Sequence, residues 1–345
     1  MLSQRSNQSF LITIDTEGDD LWSRPAKVQT RNAEYLPRFQ SLCERFGFKP
    51  TYLTNHEMAC APAFQELGRQ ALTQGACEIG MHLHAWDSPP LKPLTDVDHR
   101  HHPYLIDYPA PQMRDKVNFM TDLLEDVFGV RMRSHRAGRW AFNETYAELL
   151  LARGYCVDCS VTPGYSWASH AGAPGKFGTD YTRFPRHPYF INPTDISSPG
   201  DSTLLELPVT IRTSWLGRHL PSAYRGPLKR VVGRISPELA WLRPNGRNLK
   251  RMLSLVNWAA NTRQPYIEFM IHSSEFMPGG SPYFRSERAV EHLYTDLEIL
   301  FARIAKSFRG QTLSEFHDSF VAAGRSCASA PRELLAAPLS TSTPI

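Results

Sequence analysis

Two hydrophobic periods take turns along this chain. Short runs in which apolar, often β-branched residues alternate or follow one another occur at Ser9–Ile14, over 50–54, and at Glu78–Met81 and Tyr266–Ile271, and each reads as a buried strand. Between them apolar residues recur every three or four positions, which predicts helices over 34–46, 61–74, 112–128, 143–153, 247–262, 286–306 and 313–323. In the helix over 112–128, Val117, Met120, Leu123, Leu124 and Val127 form one stripe; Gly154 ends the helix over 143–153. Strands alternating with helices in this way make a parallel sheet, and such sheets gather their functional groups at the carboxyl ends of the strands. The expected fold is α/β, a distorted, incomplete (β/α) barrel.

Length changes this picture little. A chain of 345 residues is long enough to bury a substantial core in one large domain or two smaller ones, and the unbroken alternation favours a single domain over 1–325 with a disordered Ala-, Ser-, Thr- and Pro-rich tail over 326–345. Two insertions interrupt it. The first, 163–199, has little periodicity and is expected to lie as a loop over the site; its Tyr165, Trp167, Tyr181 and Phe184 suit either stacking on sugar rings or packing the loop onto the barrel. The second, 212–251, carries Arg218, Arg225, Lys229, Arg230, Arg234, Arg243, Arg247, Lys250 and Arg251 against the single acid Glu238. That charge suits a solvated helical face, a phosphate-linked glycan carrier, a nucleotide sugar or peripheral contact with an anionic membrane surface. A net charge of only +4 and the lack of a nucleic-acid motif argue against nucleic acid as a partner. The six cysteines are too scattered for a disulfide framework, and Cys156-Val-Asp-Cys159 has no second pair to complete a zinc site, so buried free thiols are expected. Met1–Gln8 is polar, with neither a signal-peptide apolar stretch nor a membrane span following it, and a cytoplasmic location is the expectation.

Three of the strand-like runs end in acids or histidines. After Ile14 come Asp15, Thr16, Glu17 and Gly18, and the side-chain period of two in an extended chain points Asp15 and Glu17 the same way. Two such carboxylates can divide their work, one ligating a hard cation and the other taking a proton. Asp and Gly suit a β-turn or a helix N-cap equally well, so this segment alone leaves both readings open. The second run leads into His82 and His84, again two apart, which presents both imidazoles on one side. Two imidazoles and a carboxylate make three ligands with a position left for water, the arrangement hydrolysis requires; an isolated pair of this kind is more often hydrogen-bonded strand histidines, but beside Asp15 and Glu17 the ligand reading gains. Trp86, Asp87 and the Pro turn after them suit a pocket wall. The third run ends in His272, where a general acid is wanted, with Glu275 placed either to orient it or to cap the loop.

In this order the residues resemble the NodB-type polysaccharide deacetylases, carbohydrate esterase family 4, over roughly 9–320, and the chain is most similar to the WalW-like branch linked to lipopolysaccharide biosynthesis. The resemblance implies Asp15 as catalytic base and Glu17 as metal ligand, although the usual adjacent acids are here separated by Thr16. It implies His82 as a ligand; the second family histidine, four positions on, is replaced by Trp86, which leaves His84 as the candidate. Arg133–Trp140 resembles the third motif, with Arg136 holding Asp15 ionised and Gly138 and Trp140 forming a turn and groove wall; taken alone it also suits a solvated basic turn. Leu204–Val209 resembles the fourth motif, a strand lining the site, and His272 falls at the general acid of the fifth. The implied activity is metal-dependent removal of an N-acyl group, foremost N-acetyl, from an amino sugar in cell-surface polysaccharide biosynthesis. The implied cofactor is a divalent metal, zinc first; the implied partner is an N-acylated amino sugar or a nucleotide- or lipid-linked glycan precursor, met by Trp86, Asp87, Trp140 and Glu275. Two other classes stay open: a metal-independent amidohydrolase using Asp15 and His272 on a small or cyclic amide, and a non-catalytic glycan-binding protein. The second has no use for a poised base and acid.

Overall fold

The computed structural model describes residues 8–23, 28–169, 177–213 and 239–328. Its strands are β1 (Ser9–Thr16), β2 (Pro50–Thr54), β3 (Glu78–Leu83), β4 (Ser134–Ala137), β5 (Val157–Asp158), β6 (Tyr189–Asn192), β7 (Asp195–Pro199), β8 (Leu205–Glu206), β9 (Ile211–Thr213), β10 (Leu239–Trp241), β11 (Tyr266–His272) and β12 (Arg309–Gly310). Its α-helices are α1 (Leu36–Arg45), α2 (His56–Ala59), α3 (Pro62–Thr73), α4 (Asp98–His101), α5 (Ala110–Phe128), α6 (Glu144–Ala152), α7 (Leu249–Asn261), α8 (Glu287–Ile304) and α9 (Leu313–Ala328).

The main sheet runs β11-β1-β2-β3-β4-β5-β8-β6-β7, with β12 also beside β1. From β11 to β8 all pairings are parallel; β6 and β7 add an antiparallel edge. The path has two ends and stays open, which is the incomplete (β/α) barrel expected from the alternating periods. The open edge of β11 is nonetheless satisfied. Thr210 Oγ1 and Leu242 O accept from the backbone N–H groups of Glu268 and Met270 at 2.8 and 3.2 Å.

Period-two alternation sorts the side chains. Phe10, Ile12 and Ile14 of β1, with Ile267, Phe269 and Ile271 of β11, pack in the main core with the stripes of α1, α3, α5, α7 and α8. The opposite faces look into the barrel, where Leu11 and Tyr266 join Leu53, Val157, Leu205, Leu313 and Phe316 in a second apolar cluster. Farther along the same faces the chain turns polar, through Thr13 and Glu268 to Asp15 and His272. Register completes the placement, since Asp15 stands beside His272 across β1–β11 and His82 beside Arg136 across β3–β4.

Most predicted elements recur within a few residues of their expected bounds. The strand expected at Glu78–Met81 continues to Leu83 and so carries His82. The segment over 163–199 is not all loop, because Tyr189–Asn192 alternates buried and half-buried positions and pairs with β7 and β8. Helix α9 continues through Ala328, beyond the expected tail boundary; residues 329–345, and the core of the basic insertion at 214–238, lie outside the described residues. Among the described residues no helix is long and apolar enough to cross a membrane.

Candidate active site

At the carboxyl ends of the parallel strands lies a cleft of about 760 Å³, lined by Asp15, Glu17, Trp22, His82, His84, Trp86, Asp87, Arg139, Trp140 and His272 among others. Glu17, His82 and His84 come together in its floor, all buried, with one ligand atom from each lying within 4.8 Å of the others. His84 Nε2 is 3.1 Å and His82 Nε2 3.7 Å from Glu17 Oε2, and the two Nε2 atoms are 2.9 Å apart. His82 Nδ1 lies 2.9 Å from the carbonyl of Arg136. A carbonyl only accepts, so Nδ1 carries the proton and the Nε2 lone pair faces Glu17 and His84, as a metal-ligating imidazole requires. Two imidazole nitrogens and a carboxylate oxygen converging in this way fit a zinc-type ion. Burial would raise the Glu17 carboxyl, but His272, His82 and His84 outweigh it and hold Glu17 well below the usual range. It therefore stands as a carboxylate, the form that can ligate a cation.

Asp15 is the neighbouring acid, 3% exposed. Arg136 Nη1 donates to its Oδ1 at 2.6 Å, Nη2 donates to Thr13 Oγ1 at 2.9 Å and to Glu268 Oε1, and Nε donates to Cys159 O at 3.1 Å. Every arm of a fully buried guanidinium is thus used, and its orientation is fixed. Burial pushes Asp15 up; Arg136, then His82 and His272, pull it below its ordinary value, leaving an ionised base at neutral pH. Glu268 differs. Burial wins over Arg136 and lifts it to about 7. Its Oε1 accepts from both Thr13 and Arg136, while its buried Oε2 has no hydrogen-bond partner.

His272 Nε2 is 3.8 Å from Asp15 Oδ2 and 3.6 Å from Glu17 Oε1. Behind the ring, Glu275 Oε2 accepts from the His272 backbone N–H at 3.0 Å and lies 3.3 Å from Nδ1, while Arg243 Nη2 lies 3.1 Å from the same Nδ1. Of the roles expected of Glu275, contact with substrate does not hold and orientation of His272 does: it is fully buried and outside the cleft wall, and the short turn after β11 folds it back under the ring.

The walls are aromatic. Trp22 packs edge-on to His272 at 4.7 Å between ring centres, and Trp86 edge-on to His84 at 4.6 Å. Trp140 lies 4.8 Å from the Arg136 guanidinium carbon and stacks on Trp167. Arg139 and Trp140 take φ of 54° and 60°, a left-handed backbone that costs roughly 1 kcal/mol or more per residue and is retained only where the surroundings enforce it. Asp87 lines the cleft with both carboxyl oxygens buried and without a donor. Burial, then the adjacent Glu57 carboxyl, pushes it well above the usual range.

The expected place of one segment is corrected here. Leu204–Val209 supplies no residue to the cleft; Leu205 and Leu207 fill the barrel interior and Val209 packs behind Trp140, since only the short β8 joins the sheet there. Of the two readings open for Tyr165, Trp167, Tyr181 and Phe184, packing of the loop is the one that holds, since none of them lines the cleft. Tyr181 is fully buried and donates to Trp140 O at 2.6 Å, so these rings pack the loop onto the barrel. Glu268, Arg243, Trp22 and Arg139 were missed. Glu268 was legible in principle, as an acid inside an apolar strand, two and four positions from Met270 and His272 and so on the same face.

Neither a protein-family model nor a curated protein matches the sequence. Among solved structures the chain is similar to a protein from Mycobacterium smegmatis provisionally named a polysaccharide deacetylase, at 16% identity and a TM-score of 0.53, covering 98% of this chain and 97% of that one. Weaker likenesses are to the Xyl-CE4 domain of a multidomain xylanase from the hindgut metagenome of Trinervitermes trinervoides (11% identity, TM-score 0.41, 91% of each chain) and to the peptidoglycan deacetylase PdaC of Bacillus subtilis (10% identity, TM-score 0.41, 94% of this chain and 98% of that one). At these identities the first likeness establishes the fold, that of the NodB-type deacetylases, and the other two add no argument.

Proposed function

We propose that this protein is a metal-dependent hydrolase that removes an N-acyl group, N-acetyl first, from an amino sugar of a polysaccharide or its precursor. One observation carries the reading: an ionised Asp15 fixed by a buried arginine, a His–His–carboxylate ligand set and a third histidine meet within about 4 Å across the ends of three strands, β11, β1 and β3. A glycan-binding groove has no need of that convergence.

Glu17, His82 and His84 would hold the ion, which supplies Lewis-acid polarisation of the acyl oxygen and a water whose pKa is lowered from about 15.7 toward about 7. The chain's own groups do the rest. Asp15, kept anionic by Arg136, accepts the proton of the water as its oxygen adds to the amide carbon. His272, held by Glu275 at its Nδ1 side, turns Nε2 toward the reacting centre and gives a proton to the amide nitrogen as the C–N bond breaks, because an amide anion leaves poorly. The products are a carboxylate and an amine. Trp22, Trp86 and Trp140 wall the centre from bulk water and offer rings to a sugar face.

The finer elements of the reading are zinc as the metal, a nucleotide- or lipid-linked precursor as the substrate, lipopolysaccharide biosynthesis as the setting and the cytoplasm as the location. The resemblance of the motifs to the WalW-like branch supports them. Elemental analysis after zinc loading tests the core of the proposal. Near-stoichiometric zinc in the wild type, lost in His84→Ala, is the expected result. A wild type that binds no zinc would transfer the reading to metal-independent amide hydrolysis by Asp15 and His272.

A further inference from the structure

Strand β1 ends at Thr16, one residue short of Glu17, so the acid of the candidate metal site has no place in the sheet ladder. The last register pairs are Asp15 with His272 and Thr16 with Thr54. A buried backbone N–H and C=O need partners all the same, and here two side chains supply them. Ser273 Oγ accepts from the Glu17 N–H at 3.1 Å and donates to the Glu17 carbonyl at 3.0 Å, closing a ring on one residue. Asn32 Nδ2 donates to the same carbonyl at 3.0 Å. Among the described residues no backbone group pairs with Glu17. Both clamping residues are fully buried, but their anchors differ. Asn32 is tied through its backbone N–H and its side chain to Asp19 Oδ1, at 3.0 and 2.7 Å, and so belongs to the loop that Glu17 opens. Ser273 follows the last residue of β11 directly and is fixed by the sheet itself. His82 stands on β3 and His84 just past its end, so the spacing of their imidazoles from the Glu17 carboxylate holds only while the main chain at Glu17 is held.

We propose that Ser273 is a positioning residue for the metal site, its hydroxyl locking the main chain of Glu17 to the end of β11 and so holding the carboxylate at ligand distance from His82 and His84. The inference rests on the metal-site reading of those three residues. The hydrogen bonds of Ser273 go to the backbone of Glu17 and not to a ligand atom, so it acts through Glu17 and leaves the proton transfers to Asp15 and His272. Partners that orient a ligand in this way typically carry about tenfold to a hundredfold in metal affinity. The dipeptide His272-Ser273 thus serves both halves of the site, the ring facing Asp15 and Glu17 and the hydroxyl fixing the acid that binds the ion.

The test is the zinc dissociation constant, measured by competition with a chelator for the wild type, Ser273→Ala and Ser273→Cys, beside urea unfolding of each metal-free protein. Ser273→Ala is expected to weaken zinc binding about tenfold to a hundredfold. Ser273→Cys keeps a weak donor and acceptor at the same place and is expected to fall between the two. A role confined to stability would lower the unfolding free energy and leave the constant of the folded protein within about twofold of wild type, and that result overturns the proposal. Should Ser273→Ala not fold, Ser273→Cys carries the same criterion. A wild type that binds no zinc would sink the metal-site reading and the clamp with it. Zinc affinity that falls as expected, in a wild type that releases no acetate from any N-acetylated sugar, would instead count against the deacetylase reading and leave the role of Ser273 standing.

Discussion

Replacing Glu268 by Gln tests the buried charge network under the catalytic base. Glu268 is raised from 4.5 to about 7 by burial, against the pull of Arg136. The folded state therefore binds more protons than the unfolded chain between those values, and stability from this group is lost as pH rises through them. For a single group shifted in this way the loss is about 1.4 kcal/mol at pH about 5.5 and about 3.4 kcal/mol at pH about 8.5, a difference of about 2 kcal/mol. Gln keeps the shape of the protonated acid. Its amide oxygen can accept from Thr13 and Arg136 as Oε1 does, and its NH₂ replaces the donor-free Oε2. Urea unfolding of both proteins at the two pH values should show Glu268→Gln gaining about 2 kcal/mol on the wild type as pH rises. A difference between the proteins that is constant to about 0.5 kcal/mol, or that moves the other way, would refute the argument that burial keeps Glu268 protonated.

Other expectations follow from the same geometry. Arg136→Gln leaves Asp15 and Glu268 buried without their cation and should cost about 3–5 kcal/mol of stability, read by urea unfolding, together with nearly all activity. Gly138→Ala places a methyl 2.2 Å from Leu83 O, so β4 must shift from β3; a loss of about 1–3 kcal/mol is expected, and an unchanged melting temperature would mean that the close approach is not real. Glu275→Gln removes the carboxylate behind His272 and should lower kcat about tenfold to a hundredfold with little change in KM, whereas a purely structural role would show in stability instead. Asp15 is depressed below 3.8, so the stability it contributes is present above that value and lost as pH falls through its folded pKa; Asp15→Asn should flatten acid unfolding in that range.

The frame of the fold was legible because period and length agree in its long elements. Helices α5 and α8 carry unambiguous stripes, and β1, β2 and β11 are apolar on the helix face, so their bounds are near those expected. The chemistry was legible where a strand end concentrates it: Asp15, Glu17, His82, His84 and His272 fall two apart or in register across β1–β11, and strand geometry alone puts them on one side. What the pattern hid was long-range or irregular. Arg243 reaches His272 from just beyond β10, and Trp22 comes from a short turn with no periodicity. The aromatic residues over 163–184 suited sugars and loop packing equally, because composition cannot tell a ring that faces a cleft from one that pins a loop; the hydrogen bond from Tyr181 to Trp140 decides it. The two-residue β8 likewise contributes pairing but no site residue, since its side chains fill the barrel interior instead.

The most direct measurement is acetate release from an N-acetylglucosamine oligomer and from N-acetylmuramic acid by the zinc-loaded wild type, the chelated protein and Asp15→Asn. The account predicts release by the zinc-loaded wild type alone, with zinc still bound in Asp15→Asn. Release that persists after chelation or in Asp15→Asn, or none from a wild type carrying stoichiometric zinc, would contradict it.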